Sequence, residues 1–502
     1  MIGYEFLLSR MALRLLPLSR PAQVRPVTRI ELMPDLLAVP RHVAPGEQAS
    51  ILDHVLFALK HETMRLDILH ETLKQLPAYA LTQALAAQRT GVYLRKAAYL
   101  WEKANLQPLP LPWDSTGGNY ANLFDRGRYY TGPLWERSPK FRINFNGIGP
   151  HEFCPVVERD AGLERRGQQV LERLRAWAGN PANAEILDRV MNWAYLSETR
   201  DSYAIENEAP SPDKERAFLQ AMAQLRDRTP LSEDYLAALQ NVVITNDLKL
   251  EQGFRGRQNW LQRGGHGALA VRYLPPAPEA LGPLMDGLMR MANAQQGDVP
   301  PLIKAALVSF GFVFMHPFMD GNGRVSRLLA HHSLNFNQVL PTIGGSPAIL
   351  PLSVAMKRNE KAYLAALESF SKPARQLWDV LAIADNEFVF DFKSSPMAYA
   401  HWQAGPAAAF VTECAELALE QALIDETFFI QAYDQACERI DQDFDLPDRT
   451  INLLIQWIQQ NSGRMPERRR NAAELILLDA AQIERIETIV AECFQRDQPA
   501  RA

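Results

Sequence analysis

Between positions 301 and 315 nearly every residue is apolar, with Lys304 and Ser309 as the polar exceptions. A helix that is apolar all round must be buried on all sides, so the chain is organised around one central helix. That helix must end at His316, because Pro317 follows and the residue before a proline is pushed out of helical dihedrals. A new helix starts near Arg324 and carries Val325, Leu328, Leu329 and His332 on one face.

The segment joining the two helices reads HPFMDGNGRVSR over positions 316–327, a base, a carboxylate, loop glycines and two arginines in a very short span. Gly321 and Gly323 permit positive dihedrals and close backbone approach to a ligand. The amides and dipole at the start of the next helix favour an anion there. Arg324 and Arg327 lie three apart on that helix, so both reach the same region, and two guanidiniums beside an anion nest suit a polyphosphate. Asp320 supplies a hard oxygen of the kind magnesium takes alongside nucleotide phosphates. His316, whose ordinary pKa is near neutral, can accept a proton from an attacking hydroxyl. Together these residues describe metal-assisted transfer from a nucleoside triphosphate.

The rest of the chain bounds this reading. With 502 residues, several domains are expected. A composition 47% hydrophobic and 22% charged is that of a soluble globular protein. The formal net charge of -5, from 53 basic and 58 acidic residues, gives no global field for nucleic acid or an anionic membrane. Nucleic acid is therefore not an expected partner. The Arg464, Arg468, Arg469 and Arg470 cluster reads as a solvated connecting turn. Cys154, Cys414, Cys437 and Cys493 lie far apart and have neither zinc nor disulfide spacing, so a reducing cytoplasm is the expected location. No apolar run is long enough to span a membrane.

Helical spacing predicts helices over 161–180, 185–206, 213–227, 231–244 and 277–293, and a hairpin around Gly264 to Gly267 with residues 268–273 as a strand. His331 and His332 are adjacent on the second motif helix and diverge by about 100°, so they read as packing residues rather than a metal pair.

The run HPFMDGNGR followed by Arg327 resembles the signature of the Fic family, matching every specified position. The resemblance implies a mainly α fold: a Fic helical core with a small β-hairpin flap, flanked by helical domains. It implies that His316 is the general base, that Phe318 anchors the loop, and that Asp320 holds magnesium. Gly321, Asn322 and Gly323 would form the anion hole, with Arg324 and Arg327 on the outer phosphates. Gly323 stands where the related Doc kinases carry Lys, which favours nucleotidyl over phosphoryl transfer. The implied reaction takes ATP as substrate with Mg2+ and moves AMP to a Ser, Thr or Tyr hydroxyl of a partner protein or of the chain itself. A homodimer is a further expected partner state, with the flanking segments as its contacts.

Upstream, SYAIEN at 202–207 resembles the inhibitory pattern of Fic proteins, with Ser202, Glu206 and Asn207 at its specified positions. Glu206 would compete for Arg327, which the γ-phosphate needs. A role for Glu206 in removing AMP is an alternative. The residues Leu269, Ala270, Val271, Arg272 and Tyr273 resemble the flap that aligns a target as an added strand. Asn359 and Tyr363 resemble nucleotide-proximal positions.

The expected division is a poorly ordered N-terminal extension over 1–44 and a mostly helical domain with a Pro/Gly-rich segment over 45–185. A Fic core over 186–375 and a helical domain over 376–502 complete it. Transfer of another nucleotide or phosphoryl group, or a non-catalytic nucleotide-binding regulatory module, are the competing functions.

Overall fold

The computed structural model describes residues 1–244, 246, 249–264, 266–294, 297–384, 387–469 and 478–495. The fold is mainly α with a few short strands. Its centre is the helix Pro301–Met315, which buries Leu302, Ile303, Leu307, Phe310, Phe314 and most of its other side chains. The helix Asn322–Phe336 packs along it, and helices Pro278–Asn293 and Gly405–Ala418 cover other sides. Aromatic side chains close the packing. Phe314 lies 4.4 Å from Phe370 and 5.0 Å from Trp402, centroid to centroid, and Phe310 lies 6.1 Å from Phe410. Full burial of such a ring contributes up to about 3 kcal/mol, so this cluster holds the central helix firmly behind the loop it carries.

The helix Leu187–Ile205 lies against the helices Leu352–Arg358 and Pro212–Gln224, and its C-terminal end reaches the loop after the central helix. The expected helices 161–180, 213–227, 231–244 and 277–293 are found as Ala161–Ala178, Pro212–Gln224 with a 3-10 turn Leu225–Asp227, Glu233–Val243 and Pro278–Asn293. The helix Ala161–Ala178 joins the large core through Leu163, Val170, Leu174 and Trp177.

A second core runs from Tyr4 to Val156 and is built from helices Ile51–His61, Leu66–Gln75, Ala78–Ala87 and Val92–Asn105. A small sheet, Ala121–Asn122, Ile143–Phe145 and Glu136–Ser138 in that spatial order, lies under it. A third core joins helices Asp425–Asp443, Asp448–Gln460 and Ala480–Cys493.

Two expectations need correction. Residues 1–44 are not a poorly ordered extension: a helix Gly3–Arg10 packs into the second core, and the strands Ala22–Val24, Leu37–Val39 and Glu31–Leu32 form a small cluster with Ile2 and Phe57 beside it. Tyr4 donates its amide to Glu62 Oε1 at 2.8 Å, and Leu7, Ala22 and Val39 are fully buried. The elements are too short to show periodicity, and their burial comes from residues far along the chain.

Beyond residue 375 the chain is not helical throughout. Trp378–Ala384 and Glu387–Phe392 form an antiparallel hairpin with Trp378 opposite Phe392. Its inner face presents Phe388 and Phe390 to Trp260, with centroids at 5.6 and 5.3 Å. The alternation of Phe388, Phe390 and Phe392 is a period-2 signal of a half-buried strand.

Among the described residues no helix is long and apolar enough to cross a membrane, and all four cysteines are free. Arg464, Arg468 and Arg469 are exposed, the last two in a 3-10 turn, with Arg469 4.9 Å above the Trp457 ring. Arg470 and Gly265 lie outside the described residues.

Candidate active site

His316 caps the central helix in a left-handed conformation, φ +48°, and donates its amide to Phe312 O at 2.9 Å. Its Nδ1 lies 3.2 Å from Val313 O. A carbonyl only accepts, so Nδ1 carries the proton and Nε2 is left as the acceptor in the neutral ring. Burial lowers the His316 pKa to about 4; the Val313 hydrogen bond and the Glu206 and Asp320 charges oppose this, and Arg255 adds to it. The imidazole is therefore neutral near pH 7 and able to take a proton.

The loop is fixed from inside. Phe318 is fully buried, tilted against Phe254 and Phe312 at 5.8 and 6.1 Å. The Asn322 side chain accepts from Phe318 N at 2.9 Å and donates to Phe318 O at 2.8 Å. Its amide thus closes the loop on itself, and the face left toward a ligand is backbone. Gly321 has φ +81° and a Cβ there would stand 3.0 Å from Ile244 Cδ1, so a side chain at this turn would be strained.

Every charged group of the loop has a partner from outside it. Arg327 is 1% exposed; its Nε donates to Ser202 Oγ at 2.9 Å, and its Nη2 to Ser202 O at 2.6 Å and Glu206 Oε1 at 3.0 Å. The Glu206 carboxylate lies over Gly323, where an added Cβ would collide with Oε1. Burial alone would lower the Arg327 pKa, but Glu206 and Tyr363 reverse this and raise it. Arg324, 2% exposed, donates from Nη1 to Glu208 Oε2 at 2.8 Å and to Val243 O at 3.0 Å. Asp320 receives Lys249 Nζ at 2.5 Å. Partial burial pushes the Asp320 pKa up, and hydrogen bonds from Lys249 and the Gly321 amide, with the Lys249 and Arg324 charges, bring it below the usual carboxylate value.

The expected peripheral residues fall into place unevenly. Tyr363 is brought to Arg327, with its ring stacked on Phe410 at 5.6 Å. Asn359 sits at the junction of helices Leu352–Arg358 and Glu360–Arg375, and its amide bonds Ala355 O at 3.1 Å. In the flap region only Val271–Tyr273 is strand, paired with Leu261–Gln262, while Gly267–Leu269 forms a 3-10 turn rather than extending the strand. Gly267, at φ +59°, starts that turn. Ala270, Val271 and Tyr273 face inward, and the Tyr273 hydroxyl donates to Phe314 O. Leu269 and Arg272 face out. His331 bonds Glu198 Oε1 at 2.8 Å and His332 bonds Thr229 O at 2.7 Å, so the adjacent rings serve different neighbours.

Four residues of this site escape a sequence reading. Arg255 is buried and donates to His316 O at 2.9 Å, Arg257 O at 3.0 Å and Pro276 O at 2.6 Å, and its amide bonds Pro317 O at 2.8 Å. Burial lowers its pKa to about 10. Glu208, Lys249 and Glu198 are the others. Glu198 accepts from Ser353 N, Ser353 Oγ and His331 and so ties the helix Leu187–Ile205 to the helices Leu352–Arg358 and Asn322–Phe336. Only the closeness of Glu208 to Glu206 could have drawn attention to it.

Fold and loop together place a glycine-containing turn, a helix N-terminus and two buried arginines side by side in a helical domain. Residues 230–334 match the Fic/DOC family profile, and the similarity to Fic proteins lies in this segment. Protein adenylyltransferase Fic of Drosophila mojavensis is 37% identical over 101 residues, and that of Drosophila melanogaster likewise. Each alignment covers 20% of this chain and 18% of the relative. Among solved structures, a Fic family protein from Desulfovibrio desulfuricans superposes with TM-score 0.39 at 17% identity, over 65% of this chain and 84% of that one. Fic-1 from C. elegans gives 0.34 at 20% identity, over 53% and 73%.

Proposed function

We propose that the chain is a protein adenylyltransferase held in an autoinhibited state. The observation that carries this is Glu206 on buried Arg327 above Gly323: a carboxylate of the chain fills an arginine-lined helix N-terminus suited to phosphate. The named activity of the Drosophila relatives supports AMP as the transferred group.

On this reading His316 Nε2 takes the proton from a Ser, Thr or Tyr hydroxyl of the target, and the oxygen forms a bond to the α-phosphorus of ATP. The bond to pyrophosphate breaks, and Arg324 and Arg327 hold its charge. Asp320 fits magnesium as a lone hard ligand, since that ion takes most of its shell from phosphates and water. Magnesium, when bound, would neutralise phosphate charge. The outward Leu269 and Arg272 would meet the target, and Tyr363 would hold Arg327 from behind. Chain automodification and a cytoplasmic setting belong to the same proposal.

The test is incubation of the wild type, Glu206→Gly and His316→Ala with each α-labelled nucleoside triphosphate and magnesium. Label from ATP on protein, at least tenfold stronger in Glu206→Gly and absent in His316→Ala, is the expected outcome. Label from another triphosphate alone would replace AMP as the group, and none in any variant would end the transferase reading.

A further inference from the structure

We infer that Glu208 is a second inhibitory carboxylate, which holds Arg324 as Glu206 holds Arg327. The inference rests on the proposed nucleotide site and concerns its regulation. Its origin is the end of the helix Leu187–Ile205. Asn207 adopts φ +58°, its amide bonds Ala204 O at 3.1 Å, and the Glu208 amide bonds Tyr203 O at 3.1 Å. These two bonds form a Schellman cap around a left-handed residue. The reversal at Asn207 sends Glu206 and Glu208 off one turn, on either side of it, toward the two motif arginines.

The burial of the partners makes the pair more than a surface contact. The Arg324 side chain is 2% exposed, with its guanidinium 5.1 Å from the Tyr203 ring, whereas Glu208 is 37% exposed. The arginine cannot leave for water, but the carboxylate can. The same asymmetry holds for Arg327 at 1% and Glu206 at 38%. Each carboxylate is thus a counter-ion that an incoming phosphate can displace from the solvent side. Asp320 does not replace Glu208, since its Oδ1 is 3.6 Å from Arg324 Nη2 and its other oxygen receives Lys249.

An exposed ion pair contributes little, but a carboxylate on a buried guanidinium leaves an uncompensated charge when it is removed. That charge is then available to a phosphate. Removing Glu206 alone takes the carboxylate off Arg327 and leaves Arg324 engaged by Glu208, so the inhibited state would be only partly relieved.

The experiment measures calorimetric affinity of the full chain for magnesium ATP and for magnesium tripolyphosphate. The variants are Glu208→Gln, Glu206→Gly, the double variant, and Glu208→Asp, which keeps the charge but shortens the reach. Glu208→Gln is expected to tighten both ligands about tenfold, the gain from freeing one charge-assisted hydrogen bond. The double variant should bind more tightly than Glu206→Gly and label protein faster, and Glu208→Asp should change in the direction of Gln. Should Glu208→Gln not fold, Glu208→Asp carries the test. Unchanged affinity in both Glu208 variants, with Glu206→Gly tightened, overturns the inference and leaves the nucleotide reading standing. No binding by any variant overturns both.

Discussion

Glu206 Oε1 lies 3.0 Å from Arg327 Nη2, while Ser202 of the same helix binds that guanidinium through its hydroxyl at 2.9 Å and its carbonyl at 2.6 Å. The helix Leu187–Ile205 therefore grips one arginine with three oxygens, only one of them on the carboxylate. Release of Arg327 is thus a movement of the helix end as well as of one side chain.

The cap at Asn207 governs that movement. Asn tolerates the left-handed conformation, whereas a β-branched residue there costs about 1–2 kcal/mol. Asn207→Gly should keep the cap and leave labelling at the wild-type level. Asn207→Val should loosen it and raise AMP transfer severalfold, read as label incorporated per minute.

The buried imidazole of His316 gives a pH signature. Its folded pKa of about 4 lies below the ordinary value of 6.5, so the unfolded chain binds the proton first as pH falls. The stability that His316 contributes is complete above pH 6.5 and is lost progressively down to about pH 4. A tenfold difference in proton affinity between the folded and unfolded chain is worth about 1.4 kcal/mol, so the loss totals on the order of 3 kcal/mol. His316→Gln should flatten that part of the dependence of denaturation midpoint on pH, and an NMR titration should place the ring near pH 4.

Arg255 is the clamp of the motif loop, with His316, Arg257 and Pro276 carbonyls on its guanidinium. Arg255→Ala leaves those buried acceptors without a donor, and unmade bonds of that kind cost about 1–3 kcal/mol each. A thermal melt should show a lowered midpoint. In a Glu206→Gly background, Arg255→Ala should lose most AMP transfer, whereas an Arg175→Ala control on the surface should not.

The sequence by itself determined the central helix and the loop it carries. An apolar run at 301–315 has one physical solution, and the loop's base, carboxylate, glycines and arginines are contiguous, so their juxtaposition needs no tertiary information. SYAIEN was readable as a partner for Arg327 only through its resemblance to the inhibitory pattern of Fic proteins. Tertiary structure alone decided what each charge pairs with. Glu208, Lys249 and Arg255 come from segments well upstream and are ordinary exposed residue types until packing removes water around their partners. It also decided the fold of residues 1–44, because elements of two to eight residues bury too little on their own to write a period into the chain, whereas the hairpin at 378–392 does carry a period-2 signal in Phe388, Phe390 and Phe392.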